Sequence, residues 1–229
     1  SFMKDEDRAR RLARTMVDIG AAHDTAVVVL LTDMDQPLGS RVGNANEIVE
    51  SLDVLAGSGP DDLTELTYRF GVEMLTMGGV AADAADARRR LVRAVEDGSA
   101  LERFAAVIEA QGGDPGIIED RSRLPHAPES YTLRADRSGY VERCDALTVG
   151  RAAVRLGAGR ATKESRIDPG VGFEVLAKRG ALVEAGDPLV EVSYSDPARL
   201  EAALAILGEA WVIGDEPPTD LPLVAAEVR

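Results

Sequence analysis

Apolar residues recur at helical spacing at the start of the chain, where Ala9, Leu12, Ala13, Met16 and Val17 fall between Asp5 and about Gly20. Asp5, Glu6 and Asp7 precede them, at the end where a helix's positive pole favours carboxylates. The pattern predicts an amphipathic helix. TAVVVLL follows, a β-branched and leucine run of strand length unbroken by polar residues, as expected of a strand covered on both faces. A helix leading into such a strand predicts an α/β layer. Beyond it, LTDMDQPLGSRVGNANEIVE places Gly39 and Gly43 between the strand and the next helix, where glycines mark a backbone that passes close to something.

Four further helices are predicted. One runs from about Gly43 to Leu55 and stops near Gly57 and Gly59. The next is opened by Pro60, with Asp61 and Asp62 in its first turn and Leu63, Leu66, Phe70, Met74 and Met77 along one side. A third passes through Ala84, Ala87, Leu91, Ala94 and Val95, and a fourth starts at the capping-box pattern Ser99 to Glu102 and ends at Gly112-Gly113. Near Arg123 to Pro128 the texture changes to short strands: SYTLRADRSGYVERC with a turn at Arg137-Ser138-Gly139, then VGFEVLAK, a turn at Lys178-Arg179-Gly180, and PLVEVSY. Helical patterns interrupt them at Leu147 to Leu156 and Pro197 to Leu207. The expected organisation is residues 1–125 as an α/β mixed sheet with helices and residues 126–229 as an α+β region.

The 229 residues are 45% apolar, ample for a sizeable core. Forty acidic against 26 basic side chains give a net charge of −14, which opposes phosphate backbones and anionic membranes, so neither nucleic acid nor a membrane is an expected partner. Cys144 is the one cysteine, which excludes an intrachain disulfide and fits a reducing, cytoplasmic setting. No apolar run approaches the roughly 18 residues of a membrane span. The opening Ser1-Phe2 reads as the middle of something longer.

Candidate chemistry is sparse. The glycine loop matches neither the dinucleotide nor the P-loop pattern, so it is either a turn joining strand to helix or a loop approaching a ligand. His23 and His126 would need the fold to bring them together before a metal or nucleophile site could form. Cys144 fits a small apolar residue at a strand end. Asp33 and Asp35 lie just past the strand, where α/β proteins place ligand-contacting groups but where turn caps also occur. AKRGALVEAGDPLVEVSY has a hairpin texture similar to half of a lipoyl or biotinyl barrel-sandwich module. Lys178 is then a cofactor carrier or, since no methionines frame it, part of a scaffold or lid.

Taken together, SFMKDEDRARRLARTMVDIG, LLTDMDQPLGSRVGNANEIVESLDVLAGSGPDDLTEL, AQGGD and LGAGRATKESRIDPGVGFEVLAKRG resemble the thymidine and pyrimidine nucleoside phosphorylases, colinearly over essentially the whole chain. The resemblance implies a homodimeric enzyme that cleaves a pyrimidine deoxynucleoside with inorganic phosphate, and a C-terminal region containing a hammerhead-like barrel sandwich. In that family the lysine of a DVKxGxG stretch, a base-binding arginine and serine, and a phosphate loop all precede the FM of this chain. None of those groups is in the sequence, so no catalytic residue is expected here, and the chain alone is expected to be inactive. The resemblance further implies a monovalent or divalent structural cation, with no other cofactor, held by the carbonyls of Leu38 and Arg41 and by Glu50. Such hard oxygen donors suit it, and Arg41 stands where a small residue is usual. The resemblance also sets Met16 beside the base, whereas helical spacing alone makes Met16 core. A relative acting on AMP, and a non-catalytic barrel-sandwich binding or carrier-like module, are the alternatives.

Overall fold

In the computed structural model, which describes Met3, residues 5–160 and residues 162–229, the chain opens with helix α1 (Glu6–Ala22). Ser1 and Phe2, on which the reading of a longer protein rests, lie outside the described residues, as do Lys4 and Ala161. Asp5 starts α1 by accepting the Arg8 amide at 2.8 Å, satisfying one of the donors every helix start leaves bare. Then follow β1 (Val29–Thr32), β2 (Arg41–Gly43), α2 (Ala45–Leu55), α3 (Asp61–Met77), α4 (Ala84–Glu96) and α5 (Ser99–Ala110). The second part holds β3 (Glu129–Arg134), β4 (Gly139–Cys144), α6 (Ala146–Leu156), β5 (Gly172–Val175), β6 (Leu182–Val183), β7 (Pro188–Tyr194), α7 (Pro197–Leu207), β8 (Trp211–Gly214) and β9 (Val224–Val228).

All strand pairs among the described residues are antiparallel, in three sheets: β1 with β9, the row β2-β5-β7-β3, and the row β6-β4-β8. The mixed helix and sheet composition is as the sequence predicts. Although β3 and β4 are joined by a short turn, they belong to different sheets, because β3 pairs with β7 while β4 pairs with β6 and β8. The two larger sheets share one core with α6 and α7, in which Phe173, Val141, Val190, Val192, Leu156 and Leu207 are fully buried. Burial of that kind contributes about 1.5–3 kcal/mol per large side chain. Trp211 closes it, with its indole N–H donating to the Ala177 carbonyl at 2.8 Å.

Three expectations are corrected. First, β1 is not covered on both faces: only Leu31 of its four residues is buried, and its partner is the two-stranded pairing with β9. The core beneath it is small, Ala13, Leu31 and Val228 with a few half-buried neighbours, so α1 leaves Leu12, Met16 and Ile19 exposed. Met16 is 47% exposed and is not core. Second, of the apolar side predicted for α3, Leu66 is buried but Phe70, Met74 and Met77 face outward, and Val72 and Glu73 are buried instead. Helical spacing marks an apolar stripe but not its occupant. Here the packing partners Ala81, Ala87 and Leu91 meet the Val72 and Leu75 side. Third, Ser99 does not form a capping box. Gly98, in the left-handed region at φ 80°, caps α5, and Ser99 is its first residue, its amide held by the Asp97 carboxylate at 3.0 Å. The Asp97-Gly98 link between α4 and α5 is too short to leave Ser99 outside the helix.

Candidate functional site

Two clefts collect the residues singled out by the sequence. The first, of about 560 Å³, lies past the end of β1 and is walled by Leu12, Met16, Leu31 and Met34, with Asp33 and Asp35 at its polar side. Asp33 acts as a turn cap: its carboxylate accepts the Asp35 amide at 2.9 Å, the i to i+2 bond that aspartates make in turns. The same turn is tied at both ends, because the Asp33 amide donates to the Leu223 carbonyl at 3.0 Å and the Asp35 carbonyl accepts the Ala146 amide at 3.0 Å. Four carboxylates (Asp5, Glu6, Asp33 and Asp35) and no cationic side chain line this cleft among the described residues. It therefore suits an uncharged or cationic group far better than an anion.

The second cleft, of about 360 Å³, brings together Leu38, Arg41 and Glu50. It explains the glycine loop. Gly39 has φ 68°, and a Cβ there would lie 2.2 Å from Oε2 of Glu50, so the backbone runs directly over a carboxylate. At Gly43, φ 151°, a Cβ would lie 2.8 Å from the Val171 carbonyl, where β2 closes onto β5. Glu50 is only 4% exposed. Its Oε1 accepts the amides of Ser40 at 2.7 Å and Arg41 at 3.1 Å. Burial pushes its carboxyl above the usual carboxylate range, and the two amides and the Arg41 charge offset only part of that. The Arg41 guanidinium lies 3.9 Å from Glu174 on the neighbouring strand.

A second charged pair clamps the same turn. The Lys178 ammonium donates to the Gly39 carbonyl at 2.9 Å and pairs with Asp62, whose carboxylate also accepts the Gly39 amide at 3.2 Å. An amine held in this way is not free for acylation, which speaks against the carrier reading of Lys178. Asp62, read from sequence only as a first-turn acid, was missed as part of the site because its partner is 116 residues away.

The donor set fits a cation. The Gly39 carbonyl is taken by Lys178 and the Ser40 carbonyl by the Val175 amide at 2.7 Å. Leu38 and Arg41 line the same cleft as the nearly buried Glu50. Among the described residues no three His, Cys, Asp or Glu side chains cluster as a metal-holding group, so any ion here relies on carbonyl oxygen. His23 ends α1 and His126 lies near the Leu124 carbonyl, with no shared site. Cys144 is 1% exposed and burial pushes its thiol up to about 12, which leaves it as the small apolar residue expected.

With this geometry in place, comparison with known proteins is informative. The Pyrimidine nucleoside phosphorylase C-terminal domain family matches residues 140–214, the stretch from β4 to β8. A thymidine phosphorylase of Mycobacterium tuberculosis is 41% identical over 228 residues, 100% of this chain and 51% of the relative. A pyrimidine-nucleoside phosphorylase of Geobacillus stearothermophilus is 43% identical over 201 residues, 88% of this chain and 46% of the relative. One of Bacillus subtilis is 40% identical over 205 residues, covering 90% and 47%. The chain spans about half the length of the curated relatives it matches. It is similar over its full length to the C-terminal half of a thymidine phosphorylase and over most of its length to that of pyrimidine-nucleoside phosphorylases, and residues 140–214 match their C-terminal domain family.

Proposed function

We propose that this chain forms the scaffold and pocket wall of a pentosyltransferase that cleaves a pyrimidine deoxynucleoside with inorganic phosphate. The observation that carries the reading is the similarity to a thymidine phosphorylase over 100% of the chain. In the reaction a phosphate oxygen bonds to C1′ of the sugar as the bond from C1′ to the base nitrogen breaks. The bonding pair leaves on the base, which takes up a proton, and the products are free base and deoxyribose 1-phosphate. This chain's share is positional. Met16, Leu12 and Met34 offer an apolar wall of a size for a flat pyrimidine.

The acidic cleft would repel phosphate, so anion binding and stabilisation of the departing base fall to groups beyond these residues. Losing positioned proton transfer, about 10²–10⁴-fold, and several anion-stabilising donors, about 10²–10³-fold each, leaves the 229 residues alone at background. Leu38, Arg41 and Glu50 would hold a monovalent or divalent cation, which would supply positive charge opposite the Glu50 carboxylate. We further assign the two C-terminal sheets around their shared core to a hammerhead-like barrel sandwich. The complete enzyme is a cytoplasmic homodimer in this reading, and the net charge of −14 fits the absence of nucleic acid and membrane partners. No helix among the described residues is long and apolar enough to cross a membrane.

The test is release of thymine from thymidine and inorganic phosphate. The complete protein that carries this sequence should turn over, the 229-residue chain should not, and Met16→Ala in the complete protein should raise KM for the nucleoside about 10-fold with a smaller change in kcat. A complete protein inactive on both thymidine and uridine overturns the reading. Turnover by the 229 residues overturns the placement of the chemistry outside them.

A further inference from the structure

Lys178 has no part in the chemistry proposed above, yet its ammonium is held on the glycine turn's own backbone. Its ammonium and the Glu50 carboxylate both engage the turn's backbone: the lysine takes the Gly39 carbonyl, and Glu50 takes the Ser40 and Arg41 amides, with its Oε2 close against Gly39. Side-chain exposure is 23% for Lys178 and 29% for its partner Asp62, so the charges are largely withdrawn from water and act on each other at reduced screening. Lys178 comes from the loop after β5, within the matched C-terminal domain, whereas Asp62 starts α3 and Glu50 belongs to α2. Three parts of the chain thus converge on four residues of turn.

A positive charge fixed on one carbonyl of a turn opposes a second positive charge on the neighbouring carbonyls. We propose that Lys178 is the resident counter-cation of this turn and sets the affinity of the cation site formed by Leu38, Arg41 and Glu50, keeping it weak. The inference rests on the cation-site reading. It makes the turn's shape independent of the ion: with Lys178 in place the Gly39 carbonyl and the Asp62 carboxylate are already satisfied, and a bound ion adds to an arrangement that stands without it. Replacing the lysine by an uncharged side chain exchanges a fixed charge for an exchangeable one.

The experiment is titration of the complete protein that carries this sequence with potassium and, separately, calcium chloride, following heat of binding and the shift of the unfolding midpoint. Choline chloride at equal ionic strength serves as the control. Lys178→Met should bind the cation at least about tenfold more tightly than wild type, a change of about 1.4 kcal/mol, and its midpoint should respond more strongly to the cation. Lys178→Arg should behave as wild type. Where Lys178→Met fails to fold, Lys178→Met with Asp62→Asn replaces the charged pair by a neutral one, leaves no orphan carboxylate, and should still bind more tightly than Asp62→Asn alone. Equal or weaker binding by the lysine variants overturns the role of Lys178 while the cation site stands. Binding of neither ion by wild type or variant overturns both.

Discussion

At the scale of single residues, Glu50 shows how a carboxylate can shape a turn at some cost. Two backbone amides hold its Oε1, but burial still raises its affinity for a proton. A folded-state pKa above the usual 4.5 means that the folded protein binds that proton more readily than the unfolded chain does. Glu50 therefore takes stability away above its folded value, and the loss fades as the pH drops through that value towards 4.5. Glutamine keeps an oxygen for the Ser40 and Arg41 amides but carries no charge. Glu50→Gln should accordingly be at least as stable as wild type at pH 7 without added cation, lose the response to added cation, and lose its advantage as the pH approaches 4.5. Urea unfolding at pH 7 and pH 5 measures this. A variant less stable than wild type at pH 7 and unchanged in cation response would remove Glu50 from the ion site. The sequence points to Glu50, Leu38 and Arg41 only through the family resemblance, since a carboxylate one helix away from a glycine turn has no signature of its own. Lys178 and Asp62 are invisible to it, because their meeting depends on the closure of two separate segments onto Gly39.

At the scale of elements, the helices were legible because their signals are local. Asp5, Asp83, Asp145 and Asp196 each cap the helix that follows through a bond to an amide two or three residues on, and Pro60 and Pro197 stand at starts where a proline costs nothing. The short strands β2, β6, β8 and β9 were not legible, because two to five residues carry too little alternation and their partners lie far along the chain. How β9 is fastened shows what replaces a pattern. The carboxylate of Glu73 in the middle of α3 accepts from Arg229 at 2.9 Å and from Arg69, and Arg69 also pairs with Glu227 of β9. Burial alone would raise the Glu73 carboxyl, but the two guanidinium groups outweigh it and hold it below the usual 4.5. The sign is opposite to that of Glu50: stability from Glu73 is present above pH 4.5 and disappears as the pH falls through its lowered folded value. Glu73→Gln should cost about 1.5–3 kcal/mol at pH 7, towards the lower end because Arg229 is half-exposed and screened by water. The gap from wild type should narrow as the pH is taken below 4.5. Equal gaps at pH 7 and pH 3 would mean that packing, not charge, fastens β9 to α3.

At the scale of the whole molecule, buried surface is divided unequally. Twenty buried side chains form one cluster around β4, β5, β7, α6 and α7, against three in the cluster under α1 and the β1–β9 ribbon. Cooperative opening follows such clusters, since each must lose its burial to admit water. The amides of Phe173, Val175, Val190 and Val192, in paired strands over the large cluster, should therefore exchange with solvent last, with protection close to that of global unfolding. Those of α5, which has no buried residue, and of α1, where Ala13 and Gly20 are the buried residues and Leu12, Met16 and Ile19 stay in contact with water, should exchange before those of α6 and α7. Amide exchange of the 229-residue chain, followed residue by residue at low denaturant, would show the two units opening separately by several kcal/mol. In the complete enzyme proposed above, the exposed side of α1 borders the base cleft, and nucleoside binding should slow exchange in α1 while leaving β7 unchanged. If α1 and β7 open together in the isolated chain, the small ribbon and the large sandwich form one cooperative body. Met16 would then lie in a pocket wall as rigid as the core, and not in the part of the molecule most easily moved by its ligand.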